Sequence, residues 1–304
     1  MGQDPEQLVE VDSDVPDLDG AVLLHNLDGF MDAGGAGRVL AEHLVNSLES
    51  RVIARFDVDS LIDYRSRRPT MTYATDHWAE YEAPELVVRL LHDTVGTPFL
   101  LLTGPEPDLQ WERFIAAVRG LIERWGVRLT VGFHGIPMGA PHTRPLGVTA
   151  HATRSELVAD YPQVFNRIQV PGSVEALLEL RLGQAGHDAI GYAAHVPHYL
   201  SQATYPAAGL RLLGAVSSVA ALDLPELALR EAADRTNTEI DRQVADSDEV
   251  AEVVRGLERQ YDTFTEAVGG RSLLAESNER MPTADELGEE FERFLAEQSD
   301  PKGK

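Results

Sequence analysis

The densest chemistry in the chain lies in residues 129–153, LTVGFHGIPMGAPHTRPLGVTAHAT. Imidazoles at His134, His142 and His151 and the guanidinium of Arg144 stand among Gly132, Gly135, Pro137, Gly139, Pro141, Pro145 and Gly147. Histidine titrates near neutral pH and can move a proton or hold a ligand. Arginine recognises carboxylates and phosphates. Proline fixes φ, and a loop so restrained holds polar groups in place at low entropic cost. A rigid turn between two buried strands accounts for the same Gly and Pro residues.

Three more loops carry candidate groups. LDGFMDAGGAG (27–37) sets Gly34, Gly35 and Gly37 ahead of a helical stretch, where backbone amides can receive an anion. The spacing is neither the dinucleotide fingerprint nor the P-loop, and Asp28 and Asp32 would oppose a phosphate. A tight strand-to-helix turn explains these glycines equally well. DVDSLIDYRSRRPT (57–70) places Asp57, Asp59 and Asp63 beside Arg65, Arg67 and Arg68. Pairing of these charges at a subunit or domain interface is the favoured reading there. HVPHYL (195–200) holds His195, His198 and Tyr199, but its spacing and Pro197 do not fit a helical pair of metal-binding histidines. No nucleophile elbow or Ser–His–Asp arrangement is legible, and neither a metal nor a cofactor is expected.

Positioning these groups needs strands and helices. Apolar runs near 21–27, 52–58, 98–103, 128–133, 147–153 and 189–195 read as buried strands of one sheet. Helical stretches follow the first strand and recur at 84–95, 110–125, 171–186 and 205–222, with a hairpin or arm at 67–78. The alternation predicts an α/β fold with a mainly parallel sheet flanked by helices. Loops at the carboxyl ends of parallel strands share one edge. Gly34, Gly35, His134, Arg144, His195 and His198 are therefore expected to line one ligand-binding cleft. The alternative is that Arg144 pairs with an Asp such as Asp28 or Asp32 while the histidines satisfy buried carbonyls.

Three regions are expected. Residues 1–19 read as a disordered acidic tail, 20–223 as the α/β core domain, and 224–298 as a helical C-terminal region. In 247–268, Val250, Val253, Val254, Leu257, Tyr261, Phe264 and Val268 form one apolar stripe, which Gly269-Gly270 should end. Thr283 and Glu286 form a capping-box pattern that starts another helix.

The net charge of −24 argues against nucleic acid and anionic membrane as partners. All ten histidines precede residue 199, so the titratable chemistry lies in the middle of the chain. There is no Cys, which excludes disulfides and thiolate catalysis. The acidic start lacks the pattern of a signal peptide, and no run suits a bilayer span, so a cytoplasmic protein is expected.

The segments NLDGFMDAGGAG, RFDVDSLIDYRSRRPTMTY, LLLTGPEPDLQWERF, GFHGIPMGAPHTRP and GYAAHVPHYL, taken in order, resemble the proteasome assembly chaperone type 2 family, most of all its actinobacterial branch. The resemblance covers about 20–265. It implies a phosphorylase/hydrolase-like α/β fold, homo-oligomers including trimers, and proteasome subunits as candidate partners. Archaeal members of the family engage the proteasome through a C-terminal hydrophobic–Tyr–any tripeptide. This sequence ends SDPKGK, without it. Aromatic and Arg residues at Tyr64, Arg65, Arg68, Tyr73 and Trp78 are interface candidates, since that composition is enriched in interfaces. The first reading is a non-catalytic, oligomeric assembly-chaperone-like or scaffold protein. The alternative is an enzyme of phosphorylase/hydrolase type, or a sensor, that binds a small anionic or nucleoside-like ligand at the strand-edge loops.

Overall fold

The computed structural model describes residues 4–162 and 167–270. Its central sheet has eight strands: β1 (Val9–Val11), β2 (Val22–Asp28), β3 (Ser50–Phe56), β6 (Val87–His92), β7 (Pro98–Pro105), β8 (Leu129–Met138), β9 (Val148–Ala152) and β10 (Ala189–Pro197). A separate hairpin, β4 (Met71–Ala74) and β5 (His77–Tyr81), forms a second, two-stranded sheet. The order of the large sheet is β1-β3-β6-β7-β2-β8-β10-β9. β2 runs parallel to β7 and β8, and β8 parallel to β10. The strands beyond this central group pair antiparallel. All six expected strands thus share one sheet, and the fold is α/β, with parallel pairing concentrated in the middle.

Helices cover both faces. On one, α1 (Ala36–Ser47), α4 (Pro206–Ala220) and α5 (Leu227–Ala245) pack over Val22, Leu24, Val131 and Phe133. On the other, α2 (Trp111–Arg124) and α3 (Val174–Gln184) pack over Leu23, Leu27, Leu100 and Leu102. Phe114, Ile115, Val118, Leu121 and Ile122 form the buried stripe of α2 that its spacing anticipates. Among the described residues no helix is long and apolar enough to cross a membrane.

Two expectations need correction. The stretch 84–95 is not a helix: its middle is β6, with Val87, Val88, Leu90 and Leu91 all buried. A run buried on both faces of a sheet has no alternation to betray it, and the β-branched Val pair favours the extended form. Nor are residues 4–19 a disordered tail. They form a short 3-10 turn, Pro5–Leu8, and β1, which pairs with β3. Leu8 and Leu18 are buried in the α2-side core, so two anchors and one ladder suffice to hold an acidic segment.

In the C-terminal part, α6 (Asp248–Gly270) follows α5. Val254 of its apolar stripe is buried, whereas Val250 and Val253 are exposed. Gly269 and Gly270 are the last described residues of α6. The helix expected from Thr283 lies outside the described residues.

Candidate functional site

The turn between β2 and α1 has the anion-receiving geometry its glycines suggest. Gly34 and Gly35 both adopt positive φ, at 66° and 56°, which a side chain disfavours. The chain itself fills the resulting nest. Asp32 Oδ1 accepts hydrogen bonds from the backbone N–H of Gly37 at 2.9 Å and of Gly135 at 2.8 Å, and Oδ2 accepts from Arg38 N–H at 3.0 Å. A carboxylate therefore sits where an external anion would, on the positive end of α1. Burial raises the carboxyl pKa above its ordinary value, and the three amides and Arg38 partly offset it.

His134 lies on the opposite side of the sheet. Its neighbour Phe133 packs in the core shared with α1, so alternation sends the imidazole toward α3. There it joins a polar layer. His25 Nδ1 lies 2.8 Å from Glu175 Oε1, and His151 Nδ1 lies 2.9 Å from Glu179 Oε2. Glu175 and Glu179 are one turn apart on α3, so they descend onto the sheet together. Gly132 and Gly191 make room for the rings: a Cβ on either would lie 2.5 Å from His25 or 2.1 Å from His151. Burial lowers the pKa of His134, and the two neighbouring imidazoles reinforce that against the two carboxylates. Burial also works against a charged His151, but its Glu179 bond prevails and raises its pKa. His195 occupies the same face further along β10, with Nε2 2.8 Å from Thr149 Oγ1, and burial lowers its pKa as well.

Arg144 is elsewhere again. Its guanidinium grips Asp262 of α6 through two bonds of 2.8 Å and reaches Glu258 at 3.2 Å. These carboxylates hold its pKa far above the usual value. The rest of the loop docks in the same direction. Thr143 Oγ1 donates to Glu258 at 2.6 Å, Tyr261 O–H donates to the Pro145 carbonyl at 2.9 Å, and His142 bridges Tyr199 at 2.6 Å and Asp241 at 3.1 Å. His198 packs edge-on against Tyr199 in the turn after β10, and burial depresses its pKa.

The six candidates therefore do not line one cleft. Gly34 and Gly35 belong to the α1 face, His134 and His195 to the α3 face, and Arg144 to the contact with α6. Arg144 is paired as the alternative reading held, but with α6 rather than with Asp28 or Asp32. Sequence reasoning gave no role to His25, Glu175 or Glu179. Helical spacing of the two Glu and strand alternation of the His were available signals, but their meeting depends on where α3 lands. Among the described residues, no group of three or more His, Asp or Glu is arranged to hold a metal ion.

The hairpin is the other candidate surface. All of β5 and most of β4 are exposed. Tyr73 and Trp78 pack edge-to-face on each other, yet remain 58% and 64% exposed, and Met71 and Tyr81 are exposed beside them. At the base, Tyr64 donates to Asp59 and Arg67 bridges Asp108 and the Asp28 carbonyl. Arg65 and Arg68 lie exposed in the same segment.

A mixed α/β sheet with helices on both faces and a protruding aromatic arm thus characterises the molecule. The PAC2 family model matches residues 26–244, and the chain belongs to the PAC2 family. A Mycobacterium tuberculosis protein of unknown function is similar at 48% identity, with a TM-score of 0.85 over 99% of this chain and 98% of that one. A Corynebacterium glutamicum protein of unknown function shares 39% identity, with a TM-score of 0.82 over 86% and 99% of the two chains. A Mycobacterium tuberculosis proteasome-assembly chaperone homologue shares 26% identity, with a TM-score of 0.71 over 77% and 99%. No curated protein matches the chain significantly.

Proposed function

We propose that this protein is a non-catalytic, homo-oligomeric assembly or scaffold protein that acts on proteasome subunits. The observation that carries the reading is the exposed arm. A two-stranded hairpin alone is marginal in water, and this one presents Met71, Tyr73, Trp78 and Tyr81 to solvent. Aromatic anchors of this kind are typical of interface centres. The occupant is a second copy of the chain. Arg65 and Arg68 are exposed at the arm's base, and the chain as a whole carries a charge of −24, so another copy offers carboxylates to meet them. The proteasome half of the proposal draws on family membership and on the chaperone homologue at 26% identity.

Light scattering on the full chain tests the first half. A mass above 33.3 kDa is expected, with Tyr73→Ser plus Trp78→Ser returning the protein to a single chain. A single-chain mass for the unaltered protein at micromolar concentration overturns it. Sedimentation with purified proteasome α-subunits tests the second half: a faster-moving complex is expected, and independent sedimentation of the two refutes it.

A further inference from the structure

An open cleft of about 580 Å3 lies where β2 and β7 end, between α1 and the base of the arm. We propose that it binds a small polyhydroxylated anion, a sugar phosphate or sugar acid, through Arg68, Arg38 and Arg89. The proposal is independent of the arm acting as an oligomer contact.

The first argument is topological. β2 and β7 are adjacent and parallel, yet α1, which follows β2, covers one face of the sheet and α2, which follows β7, covers the other. The chain parts at this point and leaves a crevice at the strands' carboxyl ends, the usual ligand position in open α/β sheets. Gly104 shapes its wall. It has a φ of 138°, and a Cβ there would lie 2.2 Å from the Glu85 carbonyl. The strand end can lie against 85–86 because residue 104 lacks a side chain.

The second argument is charge. Four guanidinium groups, Arg38, Arg67, Arg68 and Arg89, line the cleft against three carboxylates, Asp28, Glu42 and Glu82, within a strongly acidic chain. Arg67 is already committed to Asp108 and the Asp28 carbonyl, both at 3.0 Å. Arg38 and Arg89 make only long ion pairs, 3.6 Å to Glu42 and 3.8 Å to Glu85. Among the described residues Arg68 makes no hydrogen bond or ion pair. Donors therefore remain to clamp an anion with the planar fork geometry that suits phosphate and carboxylate.

The third argument is selectivity. The lining contains no aromatic ring to hold a nucleobase. It offers instead the hydroxyls of Thr70 and Thr103 and the carboxylates of Asp28 and Glu82, which suit ligand hydroxyl groups. The volume lies within the usual range for small-molecule sites.

Calorimetric titration of the full chain with ribose 5-phosphate, inorganic phosphate and adenosine tests this. Ribose 5-phosphate should bind saturably, about tenfold more tightly than phosphate, and adenosine should not bind. Arg68→Ala, and separately Arg89→Gln, which lies off the arm, should each weaken ribose 5-phosphate by about tenfold or more. Melting temperature should stay unchanged in both, and Arg89→Gln, being off the arm, should also keep the oligomer mass. Absence of ribose 5-phosphate binding up to about 10 mM overturns the proposal. So does binding indifferent to both substitutions, or tighter binding of adenosine. Because mass is read in the same samples, loss of ligand binding and loss of oligomer are told apart.

Discussion

Asp32→Ala exposes the anion nest that the chain has filled for itself. Three backbone donors, from Gly37, Arg38 and Gly135, lose their acceptor. The Arg38 amide is open to water and finds a replacement. The Gly37 and Gly135 amides are partly buried, and an unpaired donor there costs roughly 1–3 kcal/mol. The substitution should therefore cost about 2–6 kcal/mol, nearer the lower end because both amides are only partly buried, which is a large part of a typical domain's stability. Asp32→Asn should cost less, about 1 kcal/mol, because an amide oxygen can still serve Gly37 and Gly135. The raised pKa of Asp32 agrees, since it marks a site that tolerates a neutral acceptor. Urea unfolding at neutral pH, followed by circular dichroism, measures both. The decisive arm is rescue: phosphate at about one hundred times its Kd should return about 2.7 kcal/mol to the Ala variant. It should do nothing of the kind for the unaltered protein through this nest. An Ala variant within about 0.5 kcal/mol of the parent, or one blind to phosphate, refutes the reasoning.

Arg144→Ala should loosen α6 from the loop before β9 while the sheet keeps its stability, since the Asp262 and Glu258 contacts join these two elements. Faster amide exchange confined to α6 and 139–147 is the expected readout, and unchanged protection of α6 contradicts it. Burial keeps the folded pKa of His134 below its unfolded value of about 6.5. As pH falls below about 6.5, the unfolded chain takes up a proton that the folded ring refuses, so stability drops toward acid with a slope approaching 1.4 kcal/mol per pH unit per ring. Urea midpoints compared between about pH 5.5 and 7.5 should show a shallower acid limb for His134→Gln, and an identical limb would remove His134 from the account.

What could be read in the sequence was whatever local pattern determines. The six apolar runs became six strands of one sheet, and those at its centre, β2, β7, β8 and β10, are largely buried on both faces. The amphipathic stripe of α2 was equally plain. The run at 84–95 was misread because a doubly buried strand and a buried helix turn share one composition, and β6 is fixed by its neighbours β3 and β7 rather than by itself. The acidic start was misread because two Leu anchors carry it, and their partners in α2 lie about a hundred residues away. For the site, the loops were found but not their partners. Asp32 was visible as an obstacle to phosphate, though not as the group that would occupy the nest. Arg144 was visible as a cation, but Asp262, at a separation of 118 residues, was not.

The distribution of polar groups over the sheet explains why the candidates disperse and where a vacancy persists. Each loop at the strand ends presents donors that must be satisfied when buried. At β2 the chain answers with Asp32; after β8 it answers with α6, through Arg144, Thr143 and Tyr261. On the α3 face His25 and His151 are answered by Glu175 and Glu179, and His195 by Thr149. These are internal closures, and they commit groups suited to ligands to contacts within the fold. Arg68 is unanswered among the described residues, and it stands where the arm meets the sheet. The proposed ligand cleft and the proposed partner contact therefore both draw on the segment 64–82, which the histidine loops do not reach.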